Sequence, residues 1–157
     1  MPRSARLKHA KSLADKYPPS EPCSCDVCRS YCNRPGWWTV DEAARALDSG
    51  YGPRMMLEMA PGNSFGVLSP AFKGNEGDFS RELFSGQGCT FLKDGLCELH
   101  GTGLEPLECC FCHHDRIGLG PKCHADIGRD WDSLAGRDLV VRWSKSTGFW
   151  GRKIERG

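Results

Sequence analysis

The spacing of apolar and polar positions in the first third of the chain predicts two short amphipathic helices. Apolar residues recur at helical spacing over residues 4–17, and Pro18 ends that pattern because the residue before a proline disfavours helical geometry. Thr39 and Glu42 carry the sequence signature of a capping box, and the alanine-rich stretch after them predicts the second helix. A compact cysteine segment, residues 23–32, lies between the two predicted helices.

Strands are predicted farther along, where the apolar runs become shorter. Residues 54–59 and 64–69 flank a Pro-Gly-Asn turn and predict two neighbouring strands. Residues 70–88 are rich in glycine and in polar side chains, so they predict a long loop.

A β-hairpin is predicted around the Asp-Gly pair at residues 94–95, which is a sequence typical of a two-residue turn. Pairing across this turn places Leu92 opposite Cys97 and Cys89 opposite His100. The hairpin is therefore expected to bring two thiols close to one another.

The last third of the chain predicts two helices followed by a strand. Pro106 suits the first turn of a short helix that carries Cys109 and Cys112. Residues 125–135 predict a last helix, and the apolar residues 139–141 predict a short strand. Together the elements predict an α+β fold: a small, loop-rich, metal-stapled single domain with short helices and a β-hairpin.

The predicted domain organisation follows from where the cysteines begin and where the chain becomes basic again. Residues 1–22 are interpreted as a basic N-terminal helix and linker, and residues 23–143 as the cysteine-cluster metal-binding domain. Residues 144–157 are interpreted as a basic, aromatic tail.

Composition narrows the class of protein. The chain has 157 residues with 19 glycines and 10 prolines, which indicates a thin core that needs staples. The net charge of +1 lacks the strong basic signature of many nucleic-acid-binding domains. Apolar runs are shorter than a membrane span, and the basic N-terminus lacks the apolar region of a signal peptide. We therefore expect a cytoplasmic protein without membrane contact.

The ten cysteines are the most informative feature of the composition. In a secreted protein they would form disulfides, whereas in a reducing cytosol they would bind metal. Because the basic N-terminus lacks the apolar region of a signal peptide, metal binding is favoured over disulfides. Eight thiols would serve two four-coordinate sites, or one cluster plus one ion, and the spacing does not decide between these arrangements.

The candidate ligands begin with Cys25 and Cys28, whose spacing lets two thiolates reach one ion through a tight turn. A second pair with the same spacing follows in the last third of the chain. The predicted metal ligands are Cys25, Cys28, Cys32, Cys89, Cys97, Cys109, Cys112 and Cys123. Cys23 and Cys110 are set aside, the first as a free thiol and the second as pointing away.

Histidine is the other common zinc ligand. The histidines close in sequence to these cysteines are His100, His113, His114 and His124. His113 and His124 are the better ligand candidates because each follows a cysteine directly. Taken together, we interpret these histidines as surface residues, or as residues that contact the metal ligands without binding the metal themselves.

The order of the cysteine-bearing segments follows a known pattern. The segments that carry it are Cys25 to Cys32, Glu42-Ala43, Cys89-Thr90-Phe91-Leu92, Gly95-Leu96-Cys97-Glu98-Leu99-His100 and Glu105-Pro106-Leu107-Glu108-Cys109. Taken together they resemble the YkgJ-type cysteine-cluster family, whose members are described as zinc- or iron-chelating domain proteins. The resemblance spans roughly residues 23–113, and it implies metal chelation through cysteine.

The chain also departs from that family pattern. Tyr31 stands where the family's double cysteine begins, Glu105 and Cys110 replace arginines, and Cys112 and Cys123 are additions. Six matched thiols remain. A role of the family's arginines in binding an anion or a partner is not implied for this chain.

Metal binding is the first interpretation of function: the chain chelates zinc or iron through clustered cysteines, in a structural or accessory role beside an unidentified protein partner. The alternative is an iron–sulfur cluster protein with a redox or catalytic function, because four cysteines hold a cluster as readily as zinc. The chain lacks the cysteine run of bacterial ferredoxins, which favours the first interpretation.

Two further functions are weighed and not favoured. A catalytic zinc or iron site would use the neighbouring His113, His114 and Asp115, although a surface pair of Asp115 with Arg116 explains that pattern. Basic and aromatic residues interleave, as in single-strand binders, at Arg142, Trp143, Lys145, Phe149, Trp150, Arg152 and Lys153. Packing of a terminal strand and tail on the body, through Trp143 and Trp150, explains the second pattern. No catalytic residue is assigned, and nucleic acid is not an expected partner.

Overall fold

The structure is a computed structural model that describes residues 12–21, 23, 25–31, 36–60, 64–80 and 88–149. Its regular elements are α1 (Leu13–Lys16), α2 (Asp26–Ser30), α3 (Val40–Ala46), a π-helical turn (Leu47–Tyr51), a first 3₁₀ helix (Gly52–Arg54), β1 (Met55–Met59), β2 (Gly66–Pro70), β3 (Leu92–Lys93), β4 (Leu96–Cys97), α4 (Leu107–Phe111), a second 3₁₀ helix (His114–Leu119), α5 (Gly120–Trp131) and α6 (Leu134–Thr147). The described chain is a small mixed α+β domain, which confirms the predicted fold class.

Local signals fix the start of α3 and the geometry of the hairpin. The hydroxyl of Thr39 accepts the N–H of Glu42 at 3.2 Å, and the Glu42 carboxylate accepts the N–H of Thr39 at 2.9 Å. The predicted capping box is thus confirmed.

Leu92 pairs with Cys97 as predicted, and the two turn residues, Asp94 and Gly95, take positive φ angles of 53° and 80°.

The pairing predicted between Cys89 and His100 is wrong. Cys89 forms a bridge with Phe72, and the N–H of His100 donates to the carbonyl of Cys97 at 3.1 Å. Beyond the Leu92–Cys97 pair the N–H of Glu98 still donates to the carbonyl of Phe91 at 2.8 Å, whereas the N–H of Leu92 turns back to the carbonyl of Cys89 at 2.9 Å. Tight turns therefore replace a longer ladder on both sides of the hairpin.

The two strands predicted from residues 54–59 and 64–69 are confirmed as β1 and β2. They pair antiparallel, in a register that runs from Met55 opposite Pro70 to Met59 opposite Gly66. Phe79, in the segment predicted to be a loop, forms an isolated bridge to β1. The described part of that segment is therefore irregular chain that lies along the sheet.

The strand predicted at residues 139–141 is wrong, because these residues lie inside α6. The hydroxyl of Ser133 accepts the N–H of Gly136 at 3.1 Å and starts that helix. Leu139 is buried while Val141 is half exposed, as on one side of a helix. Residues 125–135 were predicted to form the last helix. They instead cover the second half of α5, which begins at Gly120 and ends at Trp131, and the start of α6, which is the last described helix. None of the described helices has the length and apolar character needed to cross a lipid bilayer.

The core lies between the β1–β2 sheet and the helices α3, α5 and α6. Its largest fully buried side chains are Trp38, Trp131, Trp143, Phe91, Phe149, Met55, Leu68, Leu99, Ile127 and Val67. Met56, Ala71 and Phe72 form a separate buried cluster. Three indole N–H groups donate to backbone carbonyls of other segments. Trp38 donates to Leu104 at 2.7 Å, Trp131 to Trp38 at 2.7 Å, and Trp143 to Gly52 at 2.8 Å. Each indole thus joins two parts of the chain.

The N-terminal segment lies against this core, with Tyr17 buried in it. The described part of the first predicted helix forms α1, which ends before Pro18; residues 4–11 of that prediction lie outside the described residues. Helix α2 has no buried residue. Arg116 donates to the carbonyl of Pro18 at 2.6 Å, and the N–H of Ser20 donates to the carbonyl of Cys110 at 2.8 Å. Polar contacts of this kind hold the segment on the body.

Candidate metal centre

Two cysteines and two histidines meet where α2 approaches the segment after α4. Ligand atoms of Cys23, Cys28, His113 and His114 lie within 4.8 Å of one another. We call these four residues the Cys/His group. Among the residues that the structure describes, no other set of three or more His, Cys, Asp and Glu side chains is so tightly gathered. The group is close enough to bind a metal ion.

His114 is the centre of the group. Its Nδ1 lies 3.4 to 3.6 Å from three sulfur atoms, those of Cys23, Cys25 and Cys28. Its Nε2 lies 3.1 Å from a carboxylate oxygen of Asp115. Nδ1 therefore faces the thiols, while Nε2 faces the carboxylate. A carboxylate behind the imidazole is the support that metal-binding histidines commonly have.

His113 is the buried member of the group, with 7% of the residue exposed. Its ring stacks against that of His114 with centroids 4.1 Å apart. Its Nδ1 accepts the N–H of Asp115 at 3.2 Å, and its carbonyl accepts the hydroxyl of Tyr31 at 3.3 Å. The Tyr31 contact ties the chain just after α2 to the histidine pair.

The thiols of this region differ in acidity. Donation from the backbone N–H of Cys28 is the main reason why the pKa of Cys25 is lowered to about 7. Burial raises the pKa of Cys28 to about 11, and the thiols of Cys25 and Cys23 add to the rise. The exposed Cys25 is therefore partly thiolate at neutral pH, and the thiolate is the form that binds metals.

The predicted ligands are distributed unevenly around this group. Cys28 belongs to it, and Cys25 lies beside it, 3.5 Å from Nδ1 of His114. Cys32 lies outside the described residues. Cys23, which was set aside from sequence, belongs to the group, and so does His114. Metal binding by the eight predicted cysteines stays a prediction.

Three of the predicted ligands form a second neighbourhood of thiols. Burial raises the pKa of Cys109 well above its usual value, and the nearby thiols of Cys89 and Cys97 raise it further. Cys97 lies in β4, Cys89 just before the hairpin, and Cys109 in α4. Folding therefore brings together thiols from separate segments, at a looser spacing than in the Cys/His group.

The remaining described cysteines are Cys110, Cys112 and Cys123. Burial raises the pKa of both Cys112 and Cys123 to about 12. Cys123 is fully buried in the core, where a thiol behaves as a small apolar side chain. The thiol of Cys110 donates to a carboxylate oxygen of Glu105 at 3.1 Å.

The other two candidate histidines each lie beside a carboxylate. His100 is largely exposed, with Nδ1 3.8 Å from the Glu105 carboxylate. His124 bonds through Nδ1 to Glu108 at 2.9 Å. Both lie outside the Cys/His group.

The aromatic rings of the basic C-terminal segment contribute to the core wherever they are described. Trp143 and Phe149 are fully buried, with ring centroids 5.1 Å apart. Arg142 pairs with Asp48. Residues from Trp150 onward lie outside the described residues. Buried rings do not offer stacking faces to a nucleic acid strand.

Sequence analysis missed Cys23 and His114 as members of one group. A signal was present, because Cys23 is only two residues from Cys25 and His114 directly follows His113. The contact itself joins residues 86 to 91 positions apart. Such a long-range contact depends on the fold and not on local spacing.

Comparisons of the chain with models of known protein families, with curated proteins and with solved structures find no match. Interpretation of the Cys/His group therefore rests on its own geometry and chemistry.

Proposed function

We propose that the protein binds one zinc ion through Cys23, Cys28, His113 and His114, and that this ion is structural. The approach of the four ligand atoms to within 4.8 Å of one another is the observation that supports this most directly. Two sulfur and two nitrogen donors are typical of tetrahedral structural zinc sites. Four protein ligands would leave no open position for a substrate.

A structural role suits the way the N-terminal segment is attached. Helix α2 buries no residue, and the apolar side chain of Val27 is 42% exposed. Little apolar burial is available to hold α2 itself, so an ion would supply free energy that packing of this helix does not. It would tie Cys28 to His114 across 86 residues, and its binding free energy would become free energy of docking α2.

The histidines are supported in the manner of metal ligands. The carboxylate of Asp115 lies beside Nε2 of His114, and the backbone N–H of Asp115 donates to His113. Of the four proposed ligands, Cys28 is the one that belongs to the motif resembling the YkgJ-type family, whose members are described as chelating zinc or iron. Iron in place of zinc at the same residues is an outcome that the experiment below separates.

An iron–sulfur cluster is the second candidate function, and it concerns different residues. Its candidate ligands are Cys89, Cys97 and Cys109, since cysteine sulfur holds such clusters. Both candidates can be tested in one sample, since the two sets of residues do not overlap.

The test is the metal content of the protein purified without oxygen, added metal or chelator. We expect about one zinc per chain in the wild type, and its loss in both Cys28→Ser and His114→Ala. Cys110→Ser is the matched control and keeps its zinc, because that thiol bonds to Glu105 away from the group. Equal zinc in all variants would contradict the proposal. Iron with comparable acid-labile sulfide that survives Cys28→Ser would support the cluster.

A further inference from the structure

Cys25 is a further metal donor that the proposed zinc site leaves unused. Its sulfur lies 3.5 Å from Nδ1 of His114, and the sulfurs of Cys28 and Cys23 lie 3.4 and 3.6 Å from the same atom. Three sulfurs are thus placed at nearly equal distances from one ring nitrogen. We call Cys23, Cys25 and Cys28 the three-thiol set.

These separations match the size of a metal site. In a tetrahedral site with metal–sulfur bonds of about 2.3 Å and metal–nitrogen bonds of about 2.0–2.1 Å, a ligand nitrogen and a ligand sulfur lie roughly 3.5 Å apart. The observed distances of 3.4 to 3.6 Å agree with that separation. The thiol of Cys25 also hydrogen-bonds with those of Cys23 and Cys28. The three-thiol set and His114 are therefore spaced to contact one cation together.

The sulfur of Cys25 is supported in the same way as the other two. The backbone N–H groups of Val27 and Cys28 donate to it. The N–H of Cys25 donates to the sulfur of Cys23 at 3.5 Å, and the N–H of His114 donates to the sulfur of Cys28 at 3.3 Å. Backbone donors of this kind orient thiolate ligands and stabilise their charge. Cys25 therefore has the surroundings of a ligand, although the Cys/His group already supplies the donors of a four-coordinate ion.

The chain thus offers two sets of four donors for one ion. Both sets contain Cys23, Cys28 and His114, and they differ in whether the fourth donor is the imidazole of His113 or the sulfur of Cys25. His113 is buried, with 7% of the residue exposed, whereas Cys25 is exposed and accessible to a cation that arrives from water. A third thiolate in place of an imidazole makes the donor set softer, which favours Cu(I) over zinc.

We propose that the three-thiol set, together with His114, binds a soft monovalent cation of the Cu(I) type in exchange for zinc. Cu(I) takes the sulfur of Cys25 in place of His113, Zn²⁺ leaves to solvent, and the proton of the Cys25 thiol is released. No oxidation state changes. The inference rests on the proposed function, because the two sets share three ligands. Since Cys28 and His114 belong to both sets, α2 stays docked after the exchange.

The test is a titration of the zinc-loaded full chain with Cu(I) under anaerobic conditions. Bicinchoninate is the competing Cu(I) chelator, and a chromophoric indicator detects the zinc that is released. We expect about one zinc to leave as the first Cu(I) binds. X-ray absorption then counts the ligands, with three sulfurs expected at copper and two sulfurs beside two nitrogens at zinc. Two sulfurs at copper, or three at zinc, would overturn the proposal.

Cys25→Ser separates the two donor sets. Its Cu(I) affinity should fall at least about tenfold, because even the loss of a partner that supports a ligand typically costs that much. Its zinc affinity should equal that of the wild type. Cys110→Ser is the matched control and should change neither affinity, since that thiol bonds to Glu105. An unchanged Cu(I) affinity in Cys25→Ser, or an equal fall in its zinc affinity, would overturn the proposal.

His113→Ala is the complementary change. It should lower the zinc affinity at least about tenfold and leave the Cu(I) affinity unchanged. If this variant of a buried residue does not fold by circular dichroism, the exposed Cys25→Ser decides alone. Failure of the two proposals can be told apart. Cu(I) binding that depends on Cys25 in a chain that holds no zinc would support the copper site and contradict the zinc site. Zinc binding with a Cu(I) affinity that does not depend on Cys25 would overturn the copper site alone.

Discussion

Nδ1 of His114 lies 3.4 Å from the sulfur of Cys28, although 86 residues separate the two along the chain. The backbone N–H of His114 donates to the same sulfur at 3.3 Å. One residue therefore meets the thiol with both its ring and its backbone, and the N–H donor supports a sulfur ligand in the way that neighbours of metal ligands do. Docking of α2 and formation of the Cys/His group are thus the same structural event.

Zinc should protect the amides of α2 from hydrogen exchange. The N–H of Arg29 bonds to the carbonyl of Cys25 at 2.9 Å inside a helix that buries no residue, so it opens easily without the ion. At free zinc about 100 times Kd, exchange should slow about 100-fold, equivalent to about 2.7 kcal/mol. Amides of α6 serve as the internal control and should change far less. Equal protection of α2 with and without zinc would contradict the structural role.

Asp115→Asn should weaken metal binding while leaving the ligands in place. The Asp115 carboxylate holds Nε2 of His114 at 3.1 Å, and loss of such support typically costs roughly 10- to 100-fold in metal affinity. Competition with a chromophoric chelator measures the change. Asp132→Asn is the control, since Asp132 pairs with Arg137 at the surface, and the same loss in both variants would remove the special role of Asp115.

Gly36→Ala should destabilise the fold by about 1–3 kcal/mol through overpacking. An added Cβ would lie 2.8 Å from the sulfur and 2.9 Å from the backbone nitrogen of Cys109, and backbone does not yield easily. Urea unfolding measures the free-energy change. Gly118→Ala is the matched control, because a Cβ there meets nothing within 4 Å, and its effect should stay within about 0.5 kcal/mol. Equal effects at both positions would show that Cys109 is not packed against Gly36.

Acid stability should depend on the hydrogen bond from Tyr17 to Asp126. The Tyr17 hydroxyl, followed by Lys16, lowers the pKa of Asp126 to about 2. A lowered pKa in the folded state gives stability that is present above the ordinary carboxyl pKa of about 3.9 and is lost as the pH falls toward about 2. Tyr17→Phe should therefore show a smaller fall in melting temperature between these pH values. Tyr51→Phe, whose ring packs on Phe91, should fall as the wild type does, and an unchanged profile in Tyr17→Phe would contradict the assignment.

The parts of the fold that local chemistry determines were predicted correctly. The capping box at Thr39 and the turn after Lys93 depend on neighbouring residues only, so their signals are readable in the sequence. The apolar triplet at 139–141 was misread as a strand because three residues do not separate a strand from one side of a helix. The cap at Ser133 was the signal that decides for helix.

The candidate site was predicted in kind but not in membership. Cysteine count and spacing indicated a metal site, and Cys28 was among the predicted ligands. The partners of Cys28 come from residues 113–114, whose approach depends on how α4 and α5 place the second 3₁₀ helix against α2. The spacing of residues along the chain does not predict that approach. The contact between His124 and Glu108 was not predicted for the same reason.

The indole N–H bonds of Trp38, Trp131 and Trp143 also bear on how the molecule comes apart. Each bond spans two segments, and Trp38 takes part in two of them, as donor to Leu104 and as acceptor from Trp131. A helix that left the body would strand a buried donor or acceptor, which costs about 1–3 kcal/mol each. Loss of any one element thus penalises the others, so the body should melt in a single all-or-none step. Helix α2 buries no residue, has no such anchor among its described residues, and should be free to detach beforehand.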